Sequence, residues 1–145
     1  MNQNARCQVS RLLPAILTDK LSETRAFYVR LLGLTASFDS DWFVELVSAA
    51  PSAVALGIWK RTHDLVPPEF RKHPSGFVLS FQVADADAAY AFAQHAAVKI
   101  VVPLRNEAYG QRHFMTEDPN GILVDVTSPI EMSAEFRVAY LDKSE

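Results

Sequence analysis

Apolar and polar positions along the first half of the chain predict one strand, one helix and then three further strands. Residues 11–17 form a mostly apolar run typical of a buried strand, and Pro14 within it favours an edge or interface position. Apolar spacing over 22–32 predicts a helix, with Ser22 as its N-terminal cap and Gly33 as its end. Short strands are expected next, with polar turns between them, at 35–38, 42–48 and 53–59.

The second half of the chain repeats this order of elements. A strand is predicted at 77–83 and an alanine-rich helix at 85–97. The Asp-Pro-Asn-Gly segment at 118–121 is a strong turn signal, because Pro presets one φ angle and Asn-Gly tolerates positive φ. Three more strands are expected around it, at 98–104, 112–116 and 122–127.

This repeat predicts a single domain of the α+β class, built from two βαβββ modules at about 9–59 and 76–128. A loop at 60–75 joins them, and a tail at 129–145 is expected to be a short helix or a frayed end. The loop is polar, contains three prolines and has no periodicity. Because long loops in compact domains often act as lids or binding loops, Phe70 is a candidate aromatic wall for a ligand.

Composition and charge narrow the possible partners. With 145 residues, 49% hydrophobic and 21% charged, the chain fits one soluble domain with a core. A net charge of −3 without a basic block argues against nucleic acid or an anionic membrane as partner. No apolar run approaches the roughly 20 residues that span a bilayer, and the N-terminus lacks an apolar signal core. Since Cys7 is the only cysteine, we expect a cytoplasmic protein without an intramolecular disulfide.

Three segments carry motifs in a consistent order. Residues 25–34 place an FY pair before an LG pair, residues 77–90 read as a strand followed by a helix, and residues 109–126 contain the Asp-Pro-Asn-Gly turn. Together they resemble the vicinal oxygen chelate superfamily, which includes glyoxalase I, bleomycin-resistance proteins and extradiol dioxygenases. The resemblance covers nearly the whole chain and implies that the modules form a curved mixed-sheet cup around a ligand. It also implies a homodimer, which the proline-containing first strand favours as well.

Enzymes of that superfamily hold a divalent metal through His, Glu or Gln side chains on the first and last strands of each module. Counting from the matched motifs places these four positions at Leu13, Gly57, Val78 and Asp125. Only Asp125 can coordinate, and one carboxylate does not make a useful divalent site. We therefore expect no metal and no other cofactor. Asp125 remains the only metal candidate, and its other roles would be to anchor a ligand or to pair with neighbouring backbone or a basic group.

Strand alternation suggests which other side chains face the predicted cup. On the fifth strand, polar Ser80 and Gln82 alternate with apolar residues, which should face the helix. His113 and Met115 share the cup face of the seventh strand. A histidine within reach of Asp125 could act as an acid or base, although packing or a structural hydrogen bond is the favoured role.

Position alone adds two further candidates for ligand contact. Tyr109 is a second candidate aromatic wall, whereas for Trp59 we favour core packing. Arg112 is expected to pair with Asp125 or Glu117, with an anionic ligand as the alternative. The predicted ligand-binding residues are therefore Phe70, Ser80, Gln82, Tyr109, Arg112, His113, Met115 and Asp125.

These observations favour a metal-free protein that binds a small organic ligand in the cup. The alternative is a glyoxalase-like lyase, isomerase or transferase, either metal-dependent or using His113 and Asp125 as acid and base. An accessory or regulatory domain is a third interpretation. The sequence does not identify the ligand.

Overall fold

Two four-stranded mixed sheets, one from each half of the chain, frame the molecule. The computed structural model describes residues 7–49 and 54–141, so the turn predicted at 50–52 lies outside the described residues. The first sheet has the strand order β1-β4-β3-β2, with β1 parallel to β4 and the other pairs antiparallel. The elements of the first half are β1 (Ala15–Thr18), α1 (Leu21–Leu32), β2 (Thr35–Asp39), β3 (Phe43–Val47) and β4 (Ala55–Lys60).

The second half builds its sheet in the same way, in the order β5-β8-β7-β6, with β5 parallel to β8. The described part of the chain ends with a third helix, which lies within the predicted tail. The predicted α+β class and the repeated order of elements are confirmed. The elements of this half are β5 (Val78–Gln82), α2 (Ala86–His95), β6 (Ile100–Glu107), β7 (Gln111–Glu117), β8 (Leu123–Pro129) and α3 (Ala134–Leu141).

The start of the first module differs from the prediction in two respects. Strand β1 begins at Ala15, because Pro14 has no N–H for a strand ladder, although its carbonyl accepts from the Gly57 N–H at 2.8 Å. This strand lies at the sheet edge, as the proline indicated. Helix α1 begins one residue before Ser22, so the predicted Ser22 cap is wrong. The Thr18 hydroxyl instead accepts from the Lys20 N–H at 2.8 Å, just before the helix.

One hydrophobic core serves both modules, and Tyr28 on α1 lies at its centre. Its side chain is fully buried, its ring lies 6.0 Å from that of Phe81 on β5, and its hydroxyl donates to Asp118 at 2.9 Å. Burial, followed by the neighbouring Asp118 charge and hydrogen bond, raises the pKa of Tyr28 far above its ordinary value. The hydroxyl therefore stays protonated and links the modules. Other core residues drawn from both halves are Ile16, Leu46, Leu56, Ile58, Ala93, Phe114, Val124 and Val126.

The turn at 118–121 ties the last hairpin of the second module to the first module. The Asp118 carboxylate accepts from the backbone N–H groups of Asn120 and Ile122, at 2.8 and 2.9 Å. The Asn120 amide donates to the Thr24 hydroxyl on α1 at 2.9 Å. Gly121 has a φ of 82°, which favours glycine. The turn signal thus marks an anchor between the modules.

The loop between the modules is held by its own hydrogen bonds. The Arg61 guanidinium donates to both carboxylate oxygens of Asp19 and, at 2.6 Å, to the Arg71 carbonyl. Arg71 in turn donates to the carbonyl of buried Val66 at 2.8 Å. These bonds attach the loop to Asp19, which follows β1, and connect its two ends to each other.

Candidate functional site

Each sheet has one face in the shared core and one face turned away from it, here called the outer face. On β8, Val124 and Val126 lie in the core, so Asp125 between them projects from the outer face. On β5, Leu79 and Phe81 pack against the core, as predicted. The remaining β5 positions share the outer face with Asp125, and they are Val78, Ser80 and Gln82.

A continuous series of polar contacts, here called the polar chain, crosses the outer face of the second sheet. The Ser80 hydroxyl donates to Asp125 Oδ2 at 2.8 Å, and Asp125 Oδ1 lies 2.7 Å from His113 Nδ1. His113 Nε2 lies 3.0 Å from Glu107 Oε1, which also accepts from Arg105. Strand register brings these groups together, because Ser80 pairs with Asp125 and Arg105 pairs with His113. The structure thus places the two predicted acid/base candidates in direct contact.

The His113 ring lies between two carboxylates. It is 1% exposed, and burial alone would lower its pKa. The hydrogen bonds with Glu107 and Asp125, with their negative charges, outweigh burial and raise the pKa of His113. The bond with His113, followed by that with Arg105, lowers the pKa of Glu107. Only an imidazolium can donate to both neighbours, so His113 keeps no lone pair for use as a base or a metal ligand.

The C-terminal segment returns to the end of the polar chain beside Tyr109. The Ile130 N–H donates to the Gly110 carbonyl at 3.0 Å, and the Tyr109 ring lies 6.2 Å from that of Phe136 on α3. Burial, followed by the negative charges of Glu107 and Asp125, raises the pKa of Tyr109. Tyr109 therefore borders the polar chain while 43% of it stays exposed.

Two predicted ligand-binding residues lie apart from this group. Arg112 makes two 2.8 Å bonds with the carboxylate of Asp87 on α2, so its predicted pairing with Asp125 or Glu117 is wrong. The reason is alternation, because Arg112 is the neighbour of His113 on β7 and projects from the other face. Phe70 lies in the 3-10 turn Pro68–Phe70 of the loop and is 64% exposed. No contact described for it reaches the polar chain.

The remaining predicted residues lie on the outer face of the second sheet. Met115 pairs with Asp125 in the β7–β8 register and is half-buried. Gln82 is exposed and pairs with Thr127. Two members of the polar chain, Arg105 and Glu107, were missed because the predicted sixth strand ended at 104, whereas β6 continues to Glu107.

The outer face of the first sheet carries an aromatic row made of Phe38, Trp42, Phe43, Trp59 and His63. Ring centroids lie 5.3 Å apart for Phe38–Phe43, 6.0 Å for Phe43–Trp59 and 6.3 Å for Trp42–Trp59. The His63 imidazole stacks on Trp42 at 4.0 Å. The rings are half-buried, apart from the more exposed Phe38. The core packing favoured for Trp59 is therefore not observed, since the core side of β4 carries Leu56 and Ile58.

Gly57 makes room for the indole of Trp59. A Cβ added at Gly57 would lie 3.3 Å from Trp59 Nε1 and 3.2 Å from the Ala15 Cβ. The buried indole N–H has no acceptor in the described part of the chain. A ligand side chain at position 57 would thus displace the indole, which gives a packing reason for the missing metal ligand at that position.

A cavity of about 440 Å³ lies where the first sheet and β5 approach each other. Of its lining residues, Ala55 lies on the outer face that carries Trp59. Ser80 lies on the outer face that carries the polar chain. A depression of similar size at the start of α1 is lined mainly by charged and polar side chains and lies apart from both outer faces. The 440 Å³ cavity is lined by Pro14, Val54, Ala55, Leu56, Leu79, Ser80, Phe81 and Gln82.

The donor set does not fit the divalent metal that the resemblance implies. Leu13, Gly57 and Val78 offer no ligand atom, and both oxygens of Asp125 accept hydrogen bonds. Within residues 7–49 and 54–141, no group of three His, Cys, Asp or Glu side chains is arranged to hold a metal ion. In the same ranges, no helix is long and apolar enough to cross a membrane.

A family model described as the Glyoxalase/Bleomycin resistance protein/Dioxygenase superfamily matches residues 10–126. The chain belongs to this superfamily. Among solved structures, the fold is similar to that of a family enzyme from Burkholderia phytofirmans PsJN, at a TM-score of 0.68 and 19% identity over 81% of this chain and 97% of the other. None of the curated proteins compared with the chain matches it.

Two other structures with a similar fold differ in what their names describe. Lactoylglutathione lyase from Agrobacterium tumefaciens has a TM-score of 0.64 and 17% identity, over 85% of this chain and 96% of that one. TnmS3, an antibiotic-binding protein from Streptomyces sp. CB03234, has a TM-score of 0.65 and 19% identity, over 86% and 99%. Identities this low show a shared fold alone, and the two names describe an enzyme and a binding protein on this fold.

Proposed function

We propose that this superfamily member binds a small organic molecule, without a metal ion, in the cavity between the first sheet and β5. The observation that carries the proposal is the cavity itself, of about 440 Å³, with apolar walls and two polar side chains, Ser80 and Gln82. Ligand sites of proteins commonly combine an apolar concave surface with a few polar groups that orient the ligand.

The state of the polar chain supports binding over acid/base catalysis. A general base needs a free lone pair, and both nitrogens of His113 are occupied by carboxylates. Asp125 uses both of its oxygens as acceptors. A metal-dependent lyase is the second candidate, favoured only by the fold shared with the Agrobacterium lactoylglutathione lyase. It requires ligands that the described residues do not bring together.

The aromatic row favours a flat ligand. Its rings are partly exposed on the same sheet that contributes Ala55 and Leu56 to the cavity, and flat apolar surfaces gain stacking and burial energy on such rings. The name of TnmS3 describes an antibiotic-binding protein on the same fold. An antibiotic-like organic molecule with fused rings is therefore the ligand class that we propose.

A homodimer is part of the proposal. Strand β2 forms a fully exposed edge of the first sheet, and exposed apolar residues lie near both outer faces, among them Phe38, Phe77 and Val78. A second copy would cover such surface. Sedimentation equilibrium at micromolar protein should give the dimer mass, and a monomer would contradict this part of the proposal.

The chain carries a direct reporter for ligand binding. It has two tryptophans, and both Trp42 and Trp59 lie in the aromatic row. Adding fused-ring aromatic fragments should shift both indole N–H signals in an NMR spectrum of the natively purified protein. Mass spectrometry of the same sample should find no bound divalent metal at stoichiometric amount. Unmoved indole signals across the fragment panel, or one metal ion per chain, would overturn the proposal.

A further inference from the structure

We infer that Ser80 accepts, and does not donate, a hydrogen bond from the ligand, so the cavity selects molecules with an O–H or N–H group over those with only ether or carbonyl oxygens. The inference rests on the proposed function, because it concerns the ligand of the same cavity. It adds the direction of the hydrogen bond between Ser80 and the ligand. That direction defines the ligand class as molecules that carry a donor.

The direction follows from the single proton of the Ser80 hydroxyl. Ser80 Oγ lies 2.8 Å from Asp125 Oδ2, and an ionised carboxylate can only accept. The hydroxyl proton is therefore used inside the protein. What Ser80 presents to the cavity is an oxygen with free lone pairs, on an exposed residue of the cavity wall.

The rest of the polar chain keeps Asp125 in the accepting state. His113 Nδ1 lies 2.7 Å from Asp125 Oδ1, and His113 Nε2 faces Glu107, which also receives a bond from Arg105. The two ring nitrogens of His113 and the Nε–H of Arg105 thus point toward one of the two carboxylates. No group in the chain has a proton that it could return to Ser80.

Charge does not provide a competing basis for selection. The polar chain contains two cations, Arg105 and His113, and two carboxylates, Glu107 and Asp125, which balance each other. An anionic ligand would therefore gain little from net attraction at Ser80 and would find no donor there. The other polar group on the wall, the Gln82 amide, can both donate and accept, so it does not discriminate.

The test compares naphthol with its methyl ether, two probes that share a ring system and differ in one donated proton. Calorimetric titration of the wild-type protein should give a naphthol affinity roughly two- to tenfold higher, as expected for one neutral hydrogen bond. The difference should disappear in Ser80→Ala. It should persist in the matched control Ser22→Ala, which changes an exposed serine on α1.

A second variant tests the direction of the bond while it keeps the Ser80 hydroxyl. In Asp125→Asn the side-chain oxygen can still accept from His113, while the new amide N–H can donate to Ser80. The Ser80 proton is then free to point into the cavity, where it can donate to the oxygen of either probe, so the affinity for the methyl ether should rise and the naphthol preference should shrink. A variant that was merely misfolded would lose affinity for both probes.

The outcomes separate the two proposals. Equal wild-type affinity for the two probes, or a naphthol preference that survives in Ser80→Ala, would overturn the inference and leave the binding function standing. If neither probe bound by calorimetry and the indole signals did not move, both the function and the inference would be wrong. Loss of preference in Ser80→Ala with tighter binding of the methyl ether in Asp125→Asn would support both.

Discussion

The outer faces of the two sheets occupy equivalent places in the two modules but carry different chemistry. In the first sheet β1 pairs with β4 so that Ala15 lies opposite Gly57, and in the second β5 pairs with β8 so that Ser80 lies opposite Asp125. Where the first module has two very small side chains, the indole of Trp59 fills the space. Where the second has a hydroxyl and a carboxylate, a hydrogen-bonded chain forms.

The same backbone arrangement thus supports two kinds of outer face. The outer face of the first sheet gains apolar area from the aromatic row, and that of the second sheet gains fixed hydrogen-bond directions from the polar chain. Each solution includes one position, Gly57 or Asp125, at which the resemblance implies a metal ligand. In the first sheet, packing of the Trp59 indole against Gly57 takes the place of a metal ligand. In the second sheet, hydrogen bonds occupy the Asp125 carboxylate instead.

The largest effect on stability that we expect comes from interrupting the polar chain with His113→Ala. The substitution leaves Glu107 and buried Asp125 without the cation between them, which should lower the free energy of unfolding by about 3 kcal/mol. Urea denaturation followed by circular dichroism measures this. The matched control is His95→Ala, on an exposed position of α2, which should change stability by less than about 0.5 kcal/mol. Equal losses in the two variants would show that the polar chain contributes little to stability.

A smaller effect on stability should follow from placing a carboxylate beside the aromatic row with Gly57→Glu. Its Cβ would lie 3.3 Å from Trp59 Nε1, so the indole must move, at a cost of about 2 kcal/mol. The indole N–H signal of Trp59 should shift, and the unfolding midpoint in urea should fall. Gly57→Ala should do both to a lesser degree. An unmoved Trp59 signal in Gly57→Glu would mean that Gly57 does not control the position of the ring.

The two outer faces also differ in how far their residues could be predicted from the sequence. On the fifth strand polar residues alternate with apolar ones, and on the seventh strand the alternation of faces groups His113 with Met115, so the cup-facing positions of Ser80 and His113 could be predicted before their contacts were known. The strand that ends in Trp59 is apolar throughout, and such a run gives no face assignment, which is why core packing was favoured there.

Strand length limited the rest of the prediction. Arg105 and Glu107 are polar and follow an apolar run, so they indicated a loop, yet pairing with β7 extends β6 through both residues. The Arg112 pairing failed for a different reason, since its partner Asp87 lies on another element and no sequence spacing links them. Long-range ion pairs depend on the packing of α2 against the second sheet, which the sequence pattern does not specify.

The smallest effect should be a pH dependence of stability that comes from His113 and Glu107 in the polar chain. The folded-state pKa of His113 is raised above its ordinary value of 6.5, so its stabilising contribution is complete below 6.5 and is lost as pH rises through the raised value. Glu107 has the opposite sign, because its pKa is lowered from 4.5; its contribution is present above 4.5 and is lost as pH falls through the lowered value.

The alkaline loss should be smaller than that of His113→Ala, because a neutral imidazole keeps its ring in place and still donates one of its two hydrogen bonds. Urea midpoints measured from weakly acidic to alkaline pH should therefore fall in the wild type. They should stay level over the same range in His113→Gln, whose amide does not titrate. A matching fall in both proteins would place the titrating group elsewhere. A fall confined to the wild type would identify the imidazolium as the group that holds Asp125, and through it Ser80, in place.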